Sequence, residues 1–140
     1  MPRRKKIFRR LAAALAVACL YPAWVFGYTW SHVLNSDLEG GRHGPLDAYR
    51  HALASAVVSH TLGEWAVTLV TRLFESRGKD SNIMDAHNNR IGARIGATAP
   101  SFAEIEPAVQ MAVRQGKEGA VEGGQITWLE RRKWRTGAMW

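Results

Sequence analysis

The chain has 140 residues, 46% of them hydrophobic and 22% charged, which allows one small folded domain and excludes a disordered tail. Its single Cys excludes an internal disulfide framework and a Cys-built zinc site. The formal charge of +7 would suit a nucleic-acid binder, but residues 11–130 hold nine basic residues against twelve acidic ones, a net of −3, so no nucleic-acid partner is expected.

The excess charge sits at the two ends. Arg3, Arg4, Lys5, Lys6, Arg9 and Arg10 precede a run, Leu11 to Trp30, without a charged residue. Those 20 residues match the roughly 20 that cross the hydrocarbon of a bilayer. The flanking cations predict an N-terminus in the cytoplasm and a domain on the periplasmic, extracytoplasmic side of the inner membrane. Tyr21, Trp24, Tyr28 and Trp30 crowd the distal end, where aromatic rings favour the interface. Two alternatives compete with this signal-anchor reading. One is a signal peptide cleaved after Ala16-x-Ala18, leaving a secreted domain. The other is a lipoprotein signal ending at Cys19, which lacks the usual Leu three residues earlier. Arg9-Arg10 lacks the rest of a twin-arginine motif.

Residues 31–44 are polar and Gly-rich and are expected to form a linker holding His32 and His43 in solvent. Pro45 suits the first turn of a helix over 45–62, closed by Gly63. A second helix is expected over 64–76, then a turn at 77–80, and a third helix over about 82–97. Ser101 and Glu104 have the spacing of a capping box and predict a fourth helix to about Gln115. Glycines 116, 119, 123 and 124 mark a loose connection, and residues 125–135 a short final helix. A second membrane span over 52–74 is disfavoured by His60, Glu64 and Arg72. The expected fold is all-α, a small bundle of about four helices over 45–116 behind a membrane-anchor helix. Residues 117–140 form a basic, Trp-rich tail. Trp128 and Trp134 give that tail the composition of a membrane-surface segment, although an ordinary basic helix end explains it equally well.

The helix over 45–62 has one ionised group between Ala48 and Leu62, Arg50, and so almost no solvated face. At 100° per residue Asp47, Arg50 and His51 share one face. Buried charges need partners. The third helix offers them on one stripe: Asp85, Asn88 and Asn89, then Gly92 and Gly96, which permit close backbone approach. The two faces are expected to pack together. His87 projects to the other side of a regular helix, and turns inward only if Asp85 caps it. His60 reads as a core histidine.

The stretches DAYRHALASA at 47–56 and MDAHNNRIGARIGA at 84–97 together resemble an uncharacterised bacterial and phage domain family. Its members share an R-H-A helix followed by D-x-H-N-N-x-x-G. The resemblance spans residues 44–98 and implies a small α-helical domain, with an envelope-directed enzyme suggested by the secreted and toxin-like settings of the family. It implies no particular reaction.

Three roles fit the constellation. In a hydrolase, His51 is a general base or a metal ligand, Asp47 and Asp85 orient it or share a divalent metal, and Arg50, Asn88 and Asn89 stabilise negative charge. No HExxH motif singles out zinc, and a harder cation fits as well. In a structural module the same residues form a buried polar network. In a binding protein they hold a polar ligand such as a phosphate or glycan. No G-x-S-x-G elbow or phosphate loop is present, and Ser55 and Ser59 on a helix suit back-bonding better than catalysis. The expected function is an envelope-acting hydrolase on peptidoglycan or phospholipid, the alternative a non-enzymatic membrane-anchored interaction module.

Overall fold

The computed structural model describes residues 3–74, 80–119 and 121–135. Helix α1 runs from Arg3 to Leu34. Among the described residues it is the one helix long and apolar enough to cross a membrane. Its first part carries its apolar side chains in the open: Phe8, Leu11, Leu15 and Leu20 are all exposed. Pro22 removes one backbone rung and is absorbed within the helix. Beyond it the character changes. Val25, Thr29 and Val33, four residues apart and therefore on one face, are buried in the domain. The helix thus does not end at Trp30 but takes the first residues of the expected linker and supplies a wall of the core.

Helix α2, Pro45–Leu62, is the central element. Ala52, Leu53, Ala56 and Val57 are wholly buried, as its lack of a solvated face requires. Helix α3, Glu64–Phe74, follows after Gly63, whose φ of 97° makes the sharp reversal open to glycine. Of the turn expected at 77–80, residues 77–79 lie outside the described residues and Asp80 already begins the next helix. Helix α4, Asp80–Thr98, lies directly on α2. A Cβ on Gly92 would stand 2.2 Å from the carbonyl oxygen of Ala52, and one on Gly96 2.0 Å from that of Ala56. The two glycines therefore set the helix separation, and the polar stripe of α4 comes to face that of α2.

Helix α5, Ile105–Arg114, closes the core with Ile105, Val109 and Val113. Each fully buried aliphatic side chain contributes about 1.5–3 kcal/mol. Ser101 makes no side-chain cap, and a 3₁₀ turn at Phe102–Glu104 leads into the helix instead of the expected capping box. The chain is all-α apart from two-residue strands β1, Lys117–Glu118, and β2, Thr127–Trp128, paired in parallel.

Residues 125–135 do not form the expected helix. The side-chain amide of Asn88 donates to the Thr127 carbonyl at 2.8 Å, and the Thr127 N–H donates to the Asn88 side-chain oxygen at 3.1 Å. That double bond to one residue holds the backbone extended, and only a 3₁₀ turn at Arg131–Lys133 follows. Trp128 packs against the core. Trp134 donates its indole N–H to the Leu129 carbonyl at 2.6 Å and lies over Gly40 and Gly44. Both tryptophans are partly buried, each with part of its ring against the domain.

Candidate functional site

Asp47 lies in the first turn of α2, where a carboxylate suits the unpaired N–H groups. It is 4% exposed and well supplied with partners. The His43 backbone N–H donates to Oδ2 at 2.7 Å, and the Arg50 guanidinium pairs with Oδ1. Arg50 also stacks over the Trp30 ring, 5.5 Å from its centroid, so α1 helps to hold it. One turn along α2, His51 presents Nε2 at 3.6 Å from Asp47 Oδ1 and 3.6 Å from Asp85 Oδ1 on α4. The three donor atoms lie within 4.8 Å of one another.

These gaps decide what the cluster can do. A hydrogen bond from a ring nitrogen to a carboxylate spans about 2.7–3.2 Å. At 3.6 Å the histidine is bonded to neither carboxylate, yet its nitrogen points between both. A tetrahedral metal site with bonds of about 2.1 Å has ligand-to-ligand edges of about 3.4 Å. The cluster therefore has the dimensions of a cation site or of a cradle for a polarised water. With Asp47 and Asp85 ionised and Arg50 charged, the three sum to one negative charge, which attracts a cation. Burial pushes the Asp85 carboxyl above the usual carboxylate range, and the Asp47 charge adds to this, while His51, His43 and Arg50 pull the other way.

Two members of the cluster, His51 and Asp85, line a groove of about 780 Å³ between α1, α2, α3 and α4, while Asp47 is buried beside them and does not line it. With Arg50, Asn82 and Asn89 they form its polar end. The remaining walls are almost wholly apolar, with Val25, Phe26, Ala54, Val58, Ala66 and Val67 among them. Its size is that of a small-molecule site.

The three remaining residues of the expected face part company. Arg50 and Asn89 line the groove, Asn89 accepting the Ser55 hydroxyl at 3.0 Å. Asn88 is 1% exposed and spends its amide on Thr127, so it offers nothing to the groove. His87 lies away from the cluster, its Nε2 at 2.8 Å from the Gln125 carbonyl oxygen, since α4 begins at Asp80 and is regular through Asp85. His60 is half-buried, with Nδ1 at 3.0 Å from the Gly96 carbonyl oxygen.

Sequence reasoning missed His43. Expected in solvent, it is half-buried beside Asp47, with Nδ1 at 3.9 Å from Oδ2. It stands at φ 66°, the one positive value among the described non-glycine residues. A non-glycine residue there is strained, and such strain gathers at functional sites. The available signal was its position four residues before Asp47, next to the helix start.

A family model described as a domain of unknown function (DUF6973) matches residues 28–119. The chain belongs to the DUF6973 family. The matched region begins within the buried end of α1 and takes in the whole Asp47–His51–Asp85 cluster. The Asn88-bound segment around Thr127 lies beyond it. No curated protein and no solved structure matches the chain.

Proposed function

We propose that this protein is a membrane-anchored hydrolase of the cell envelope, with Asp47, His51 and Asp85 holding a divalent cation at its reacting centre. The single observation behind this reading is the convergence of three donor atoms within 4.8 Å at the head of a large groove. Among the described residues lining the groove, Ser55 gives its hydroxyl proton to Asn89 and not to a base, which supports water as the nucleophile. A cation held by these three residues would supply an acidified water. Hydrolysis then adds water across an ester bond. The water oxygen bonds to the ester centre, one ester bond breaks, and the departing oxygen takes the proton. Arg50 and Asn89, at the same end, face the charge that develops on the ester oxygens. In this reading helix α1 is the anchor, and the cations before Leu11 support a domain outside the cytoplasm.

The test is calorimetric titration of the full chain in detergent with Mn²⁺ and Zn²⁺, alongside ester hydrolysis before and after chelation. One ion per chain and a chelator-sensitive reaction are expected. Hydrolysis that survives chelation but needs His51 would make the histidine a general base instead. A second reading, a purely structural network, draws on the saturation of Asp47 by His43 and Arg50. Absence of both ion binding and hydrolysis in a well-folded protein would favour it.

A further inference from the structure

The groove has an unusual wall. Residues Tyr21, Val25 and Phe26 of α1 form one side of it, and the same helix, which over its whole length is long and apolar enough to cross a bilayer, continues from there with its apolar side chains exposed. The facing wall is α3, whose outer surface is also apolar: Trp65 is 66% exposed and Leu73 70%. Trp65, Leu69 and Leu73 follow helical spacing along α3, and Val70 beside them, 50% exposed, lines the groove. A cleft open between two apolar helices, one of them a candidate membrane span, suits an occupant drawn from lipid better than one drawn from water.

A buried polar group borders the same cleft. Thr29 lines it at 2% exposure, and its hydroxyl has no hydrogen-bond partner among the described residues. A buried hydroxyl without a partner costs stability.

We propose that the groove takes an acyl chain of a membrane phospholipid, entering sideways between α1 and α3, with the headgroup region brought to the Asp47–His51–Asp85 end. The occupant is a bilayer lipid because the entrance is continuous with α1, and an amphiphile because one end of the groove is polar and the rest apolar. As a substrate assignment it rests on the hydrolase reading. As a binding site it stands on the groove alone.

The test uses the full chain in nanodiscs containing phosphatidylglycerol with a photoreactive diazirine on its acyl chain. Cross-links are expected at the groove residues Ala54, Val58 and Val67. Ala66→Trp, which fills the groove, should reduce them at least fivefold while ion binding is unchanged. Should Ala66→Trp not fold, Val70→Glu places a charge at a half-exposed groove residue with the same expected loss. Cross-links confined to outward residues such as Leu11 and Leu15, or unaltered by the folded variant, overturn the proposal. His51→Ala should keep the cross-links. Groove labelling without ion binding would therefore remove the metal-hydrolase reading alone, and ion binding without groove labelling would remove the lipid site alone.

Discussion

Gly96 of α4 lies so close to Ala56 of α2 that an added Cβ would meet the Ala56 carbonyl oxygen at 2.0 Å. The obstacle is helix backbone, so no side chain can swing away. Gly96→Ala should cost about 3 kcal/mol, and Gly92→Ala a similar amount, through separation of the two helices. Chemical denaturation measures both. A loss under about 0.5 kcal/mol in either would show that the helices are not held at this distance.

His51 has a side chain 30% exposed and no hydrogen bond to either carboxylate, so its removal should disturb the fold little. His51→Ala should lower hydrolysis about a thousandfold and abolish ion binding, with stability changed by less than about 1 kcal/mol. Asn89→Ala removes the acceptor of the Ser55 hydroxyl and should cost about 1 kcal/mol or less, with loss of hydrolysis. Unfolding of both variants would mark the cluster as structural.

Asn88 should behave in the opposite way. Its amide makes two buried hydrogen bonds to the Thr127 backbone. Asn88→Ala should cost about 2–4 kcal/mol and free residues 125–135, seen as rapid amide exchange there. Ion affinity, measured where the variant is still folded, should be unchanged. A large loss of affinity would bring Asn88 back to the reacting centre.

Tyr49 supplies a pH dependence away from the cluster. Its hydroxyl donates to Glu106 Oε1 at 2.6 Å, and burial, followed by the Glu106 carboxylate, pushes the phenol well above the ordinary tyrosine range. The folded state thus holds this proton more tightly than the unfolded chain. The associated stability is complete below about pH 10 and is lost as pH rises beyond it. Tyr49→Phe should cost about 1 kcal/mol at neutral pH and flatten the stability curve above pH 10. An unchanged alkaline slope in that variant would place the titration elsewhere.

Much of this protein is local in origin and could be read from residue order. A charge-free run behind six cations specifies a membrane-length helix, and an unbroken Ala-rich stretch after Pro45 specifies a central one. The 3.6-residue period alone aligns Asp47, Arg50 and His51, and likewise Asp85 and Asn89. Two glycines on the second stripe announce close packing. The stripe does not reveal which of its polar groups reach the groove. Asn88 and Asn89 are adjacent in sequence, yet one binds the Thr127 backbone and the other lines the groove. That partition depends on a strand thirty-nine residues away. His43 likewise enters the cluster through a positive φ that no periodicity signals. The groove itself needs four helices at once, because its apolar walls are ordinary core residues until α1 and α3 leave a space between them. Periodicity decides which side chains share a face. Only the packing of distant segments decides which of those faces are filled and which are left open to a ligand.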